Sequence, residues 1–171
     1  MVLKRHLFLV GFMGAGKSSV GKLLAKRLDT LFVDLDEVIV KTCGQSINEI
    51  FARHGEEYFR DVETDALRCL DYRQPVVVAT GGGILERRGN ADIIRSKGVM
   101  IYLGASWETV YRRISTSSNR PILQQKTVEE VRSLFQRRQA AYRCADMCVN
   151  TDDCTIEMVV DKIVSNIENG D

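Results

Sequence analysis

The run Gly11-Phe-Met-Gly-Ala-Gly16-Lys17-Ser18 limits what this chain can fold into more than any other feature. It fits the spacing G-x-x-x-x-G-K-[ST] completely, follows the apolar stretch His6–Phe12, and opens a helical pattern over Lys17–Leu28. Apolar residues at Val20, Leu23, Leu24 and Leu28 give that helix one core face. A loop of this kind turns successive backbone N–H groups inward around phosphate oxygens, and the following helix N-terminus adds a positive field. Gly14, Ala15, Gly16, Lys17, Ser18 and Ser19 are thus the expected nucleotide cradle. Lys17 is expected to reach the β- and γ-phosphates, and the Ser18 hydroxyl to ligate magnesium.

Short apolar runs alternate with amphipathic ones along the rest of the chain. Strands are predicted at Leu31–Asp34, Pro75–Thr80, Val99–Leu103 and Met147–Asn150, beside the first at His6–Phe12. Their nearly continuous apolar character suits a parallel sheet covered on both faces. Ser46-Ile-Asn-Glu49 and Thr127-Val-Glu-Glu130 have the capping-box form that starts helices. Further helices are predicted over Glu86–Lys97, Ser106–Ser115 and Thr155–Glu168, and Gly55 beside His54 marks a helix break. The alternation gives βαβ units and an α/β fold. With 171 residues, one domain spanning 1–171 is expected. The polar stretch Ser115–Thr127 lacks helical periodicity and is expected to be a lid.

Composition removes several function classes. A formal net charge of +1 argues against a general nucleic-acid binder, and no apolar run approaches a membrane span. The N-terminal MVLKRHLFLVGF is read as a first strand of the mature protein rather than a signal peptide. Five cysteines with no CxxC pair point to reduced thiols in a cytosolic protein. Among phosphate-loop proteins, a GTPase should show NKxD and DxxG, and neither is present. The short chain and the lid point to a small-molecule kinase.

Ligands in open α/β sheets gather at the carboxyl ends of the strands. The second predicted strand ends in Asp34-Leu-Asp36, whose alternation could aim two carboxylates at one pocket. One would serve the magnesium shell and the other would accept a hydroxyl proton. The pair could equally be a turn and a helix N-cap. The third strand runs into Gly81, Gly82 and Gly83, where the missing Cβ atoms would allow close backbone approach. Between Glu108 and Glu129 there is no acidic residue, yet Arg112, Arg113, Arg120 and Lys126 occur, which suits capture of phosphoryl charge and an anionic substrate. Arg112, Arg132, Arg137 and Arg143 are read as solvated helix-face residues.

GFMGAGKS, DLD at 34–36, FRDVE at 59–63, ATGGG at 79–83, RP at 120–121 and RxxxY at 138–142 together resemble the shikimate kinase family over essentially the whole chain. The resemblance implies a nucleoside-monophosphate-kinase-like fold with a five-stranded parallel sheet in the order 2-3-1-4-5. It implies transfer of the ATP γ-phosphoryl group to the 3-hydroxyl of shikimate, with one Mg²⁺ per subunit. Asp36 then matches the hydroxyl ligand and base, and Asp34 the carboxylate near magnesium. Arg60 and Arg138 match the arginines that hold the shikimate carboxylate, with Glu63 orienting Arg60. Gly81, Gly82 and Gly83 match the glycines beside the acceptor. Arg120 matches the lid arginine over the phosphates, and Arg113 an arginine near the adenine. Expected partners are therefore ATP and shikimate, with no nucleic acid and no membrane, for a monomer in the cytoplasm. Two departures stand out: RPIL where RPLL is frequent, and Ala140-Ala141 where the family often has Pro-Leu. The competing readings are a gluconate-type kinase and an ATP-binding regulatory module without catalysis.

Overall fold

The computed structural model describes residues 3–116 and 126–169. Five parallel strands form one sheet: β1 (His6–Val10), β2 (Phe32–Asp34), β3 (Val77–Ala79), β4 (Gly98–Gly104) and β5 (Met147–Asn150). Their order is β2-β3-β1-β4-β5, with Leu7 of β1 opposite both Val77 and Val99. Both the fold class and the strand order agree with the expectation.

Alternation along β1 divides the core. Leu7 and Leu9 point to one face, where α1 (Lys17–Arg27) and the C-terminal helix pack through Val20, Leu24, Val159, Val160 and Ile163. Phe8 and Val10 point to the other, joined by Ile39, Ile94, Val110 and Phe135 from the remaining helices. Each fully buried aliphatic or aromatic side chain here stabilises the fold by about 1.5–3 kcal/mol. The remaining helices are α2 (Leu35–Cys43), α3 (Ile47–Arg68), α4 (Asn90–Lys97), α5 (Trp107–Ser115) and α6 (Val128–Tyr142), and the C-terminal helix is α7 (Ile156–Asn169). Both capping boxes form, at Ser46–Glu49 and Thr127–Glu130. Gly55 breaks α3 internally with φ 82°, ψ 177°.

Two expectations change. The helix expected over Glu86–Lys97 starts at Asn90, because Gly89 takes a left-handed φ of 97° and Arg87 is extended. A 3₁₀ turn, Ile84–Glu86, fills the gap. The strand alternation expected to aim both Asp34 and Asp36 fails, because β2 stops at Asp34 and Asp36 lies in the first turn of α2. Helix α2 was open in the sequence only through the N-cap alternative for Asp34-Leu-Asp36, and Asp34 is that N-cap. Among the described residues, no helix is long and apolar enough to cross a membrane.

Candidate active site

With all strands parallel, their carboxyl ends share one edge, and the expected chemistry collects there. At the end of β1 the chain turns through Gly11, Gly14 and Gly16, each with positive φ, and Gly16 is the left-handed N-cap of α1. A side chain at any of the three would strain the loop. Ala15 is buried and donates its N–H to the Phe12 carbonyl. Lys17 Nζ reaches back to the carbonyls of Gly11 and Phe12 at 2.7 and 3.1 Å, so its charge lies along the loop. Ser18 and Ser19 follow in the first turn of α1, which has no acidic residue to oppose an anion. Arg113 of α5 donates to the carbonyl of Gly14 at 3.2 Å and to the carbonyl and hydroxyl oxygens of Thr151. It ties the loop to the end of β5.

Asp34 is the N-cap of α2 and also reaches the phosphate-loop side of the site. Its Oδ1 accepts the N–H of Asp36 as the N-cap of α2, and its Oδ2 accepts the Ser18 hydroxyl at 2.8 Å. Asp36 is half-buried, and its buried Oδ1 has no hydrogen-bond partner among the described residues. Burial, and then the nearby Asp34 charge, push its carboxyl above the usual carboxylate range, against the pull of Lys17 and Arg60.

Arg60 and Glu63 lie one turn apart on α3, buried at 6% and 0% exposure, and pair through Nη1 and Oε2 at 2.9 Å. The second oxygen of Glu63, Oε1, is buried with no hydrogen-bond partner among the described residues. Burial raises the Glu63 carboxyl even though Arg60 opposes the rise.

The three glycines explain how these side chains fit. None of Gly81, Gly82 or Gly83 has positive φ, so turn geometry does not require them. Space does. A Cβ on Gly81 would collide with Glu63 Oε1 and stand 3.2 Å from Asp36 Oδ1, and one on Gly83 would collide with the Arg60 guanidinium. A Cβ on Gly82 would stand 3.3 Å from the Met13 nitrogen of the phosphate loop and 3.6 Å from Arg138 Nη1. The second glycine turn is therefore packed directly on the first, with Asp36, Glu63, Arg60 and Arg138 around it.

Arg138 is buried on α6, and one turn on, the hydroxyl of Tyr142 donates to the Gly82 carbonyl. Burial drives the Tyr142 phenol far above its ordinary range, so it stays a donor. Arg138 Nε donates to Glu86 Oε1 at 2.8 Å, and Arg60 Nη2 lies 2.9 Å from Glu86 Oε2. Burial alone would raise Glu86, but the Arg138 hydrogen bond and the Arg138, Arg60 and Arg137 charges outweigh it and hold the carboxyl below its ordinary value.

One edge thus gathers Gly14 to Ser19, Asp34, Asp36, Arg60, Glu63, Gly81 to Gly83, Arg113 and Arg138. Arg120 and most of the expected lid lie outside the described residues. Glu86 and Tyr142 were not singled out as site residues in the sequence. Tyr142 was legible only as the end of RxxxY, whose four-residue spacing stacks it on Arg138. Nothing local to Glu86 marks it.

The family model for shikimate kinase matches residues 13–168. The chain belongs to the shikimate kinase family. It is 42% identical over 165 residues to the shikimate kinase of Thermodesulfovibrio yellowstonii, covering 96% of this chain and 95% of that protein. Identity to the shikimate kinase of Geobacter sulfurreducens is 44% over 162 residues, covering 94% and 90%. A solved structure of shikimate kinase from Acinetobacter baumannii in complex with shikimate superposes with a TM-score of 0.90 at 34% identity, covering 97% of this chain and 94% of that one. Shikimate kinases are phosphotransferases.

Proposed function

We infer that this chain transfers the γ-phosphoryl group of ATP to the 3-hydroxyl of shikimate, giving shikimate 3-phosphate and ADP in aromatic amino-acid biosynthesis. One observation supports the site reading most. Asp36 Oδ1 and Glu63 Oε1 are buried around Gly81 without hydrogen-bond partners among the described residues, while Gly82 packs on the phosphate loop. Buried acceptors of this kind call for a donor, and a substrate hydroxyl placed there would stand beside the transferring phosphate.

The roles follow from position. The phosphate loop and Lys17 hold the β- and γ-phosphates. Asp36 orients the hydroxyl and accepts its proton as the O–P bond forms; its raised basicity suits that task. Arg60 and Arg138 hold the shikimate carboxylate, and Glu63 fixes Arg60 in its rotamer. Arg113 supports the nucleotide end, and Arg120 closes over the phosphates from the lid at about residues 115–127. Positioning and charge stabilisation carry the reaction, since the protein makes no covalent bond to the substrate.

Among the described residues, no group of three or more His, Cys, Asp or Glu is placed to hold a metal. A site of Ser18 hydroxyl and Asp34 carboxylate still fits Mg²⁺, which takes oxygen ligands and draws most of the rest from nucleotide phosphates and water. Magnesium bound there would neutralise charge on the β- and γ-phosphates. The protein is proposed to act as one domain, as a monomer, in the cytoplasm.

A panel of hydroxyl acceptors with coupled ADP detection tests the reading. Shikimate should exceed gluconate and other hydroxy acids in kcat/KM by about 10² or more. Equal use of gluconate would transfer the assignment to a sugar-acid kinase. Absence of ADP formation with every acceptor would leave an ATP-binding module without catalysis.

A further inference from the structure

The two arginines assigned to the substrate carboxylate already converge on a carboxylate of the protein. Glu86 receives Arg138 Nε on Oε1 at 2.8 Å and faces Arg60 Nη2 with Oε2 at 2.9 Å. It is the one carboxylate, among the described residues, paired with both. We propose that Glu86 is an internal stand-in for the acceptor carboxylate, which shikimate must displace in order to bind. The proposal rests on the reading of Arg60 and Arg138 as the carboxylate clamp.

The donor geometry leaves little alternative. A carboxylate pairs with a guanidinium bidentately, through Nη1 and Nη2 or through Nη2 and Nε. On Arg60, Nη1 already serves the buried Glu63, and Nη2 is flanked by Glu56 at 3.1 Å and Glu86 at 2.9 Å. Nε is buried without a partner. Both bidentate modes need Nη2, so one of its carboxylates must leave. Glu63 has no exit at 0% exposure. Glu56, at 59% side-chain exposure, is ion-paired among the described residues with Arg60 alone, so it does not bridge the two arginines. Glu86 does bridge them.

Glu86 also has a way out. Its side chain is 30% exposed, and it ends the 3₁₀ turn Ile84–Glu86, after which Arg87 is extended. Its backbone N–H is bonded to the Gly83 carbonyl at 2.9 Å, so the side chain can swing to solvent without moving the glycine turn. With Glu86 in place, Arg60 and Arg138 stay ordered and charge-compensated before substrate arrives. The cost is affinity, because only the fraction of molecules with Glu86 released can bind.

The test is steady-state kinetics of the whole chain at saturating ATP with Glu86→Gln and Glu86→Ala, using shikimate and its uncharged methyl ester. The shikimate KM should fall about three- to ten-fold in both variants, matching an occupied fraction of roughly 70–90%. The ATP KM should stay within about two-fold, and the ester, which needs the same release of Glu86, should gain by a factor similar to that of shikimate. A shikimate KM that rises would make Glu86 a strut for the arginines and overturn the proposal. An unchanged KM would overturn it too, as would a gain confined to shikimate, which would reflect only relief of charge repulsion. Arg60→Ala, measured in the wild-type background, tests the clamp separately. If it leaves the shikimate KM unaltered, the clamp reading fails whatever the Glu86 variants do.

Discussion

The Ser18 hydroxyl donates to Asp34 Oδ2 at 2.8 Å, joining the first turn of α1 to the N-cap of α2. Asp34 Oδ1 simultaneously accepts the Asp36 N–H, so one carboxylate sets both the proposed magnesium ligand and the proposed base. Helix start and active site are thus the same structure.

This dual use predicts a separable phenotype. Asn caps helices as well as Asp does, whereas Ala costs about 0.5–2 kcal/mol at an N-cap. Asp34→Asn should therefore unfold near the wild-type temperature yet need several-fold more magnesium, at about three-fold or above, for half-maximal rate. Asp34→Ala should lose stability as well. Thermal unfolding and a magnesium titration of the rate measure the two effects; an equal Tm loss in both variants would contradict the cap.

Asp36 should trade stability for turnover. Its folded-state pKa is raised, so the fold favours the protonated form. That contribution is complete below the unfolded pKa of 3.8 and is lost as pH rises through the raised folded value, leaving a cost at neutral pH. Asp36→Asn removes the cost and should raise Tm by roughly a few degrees. It should also lower kcat by about 10²–10⁴ with ATP still bound, and abolish the acid limb of the wild-type rate profile. If kcat stayed within about five-fold of wild type, Asp36 would not be the base.

Two glycine substitutions should behave differently although the chemical change is the same. An alanine at Gly83 meets the Arg60 guanidinium, while Gly89 has open space around it but a φ of 97°. Gly83→Ala should raise the shikimate KM by about ten-fold or more with the ATP KM little changed. Gly89→Ala should cost about 1–2 kcal/mol of stability and leave both KM values alone. Initial-rate kinetics beside denaturant unfolding separate the two.

Tyr142→Phe leaves the Gly82 carbonyl without its phenol donor. The expected stability loss is about 1–3 kcal/mol, typical of an unpaired buried acceptor. Because Gly82 lies between Met13 of the phosphate loop and Arg138, kcat should fall along with stability. A variant that loses stability but retains full kcat would show that Tyr142 only supports the fold.

The parts of this protein readable from sequence are those set by neighbours along the chain. The phosphate loop, the two capping boxes and the five strands each depend on residues within a few positions, so Gly16, Ser46, Thr127 and the apolar runs announce them. Helix α2 was announced only through the N-cap alternative at Asp34. Val38, Ile39 and Val40 form a β-branched run that disfavours helix, and only the Asp34 cap, the left-handed Gly44 and burial of Leu35 and Ile39 settle it.

Gly81, Gly82 and Gly83 show where sequence alone stops. Their presence signalled close approach, but what approaches comes from α2, α3 and α6, brought together by the packing of the sheet. Glu86 and Arg138 are 52 residues apart and Glu86 and Arg60 are 26 apart, and no periodicity links them. Local sequence determined which chemistry the chain carries, because capping, turn and strand preferences act over a few residues. Tertiary structure alone decided which carboxylate meets which arginine, because that depends on distances set by the burial of two faces of one sheet.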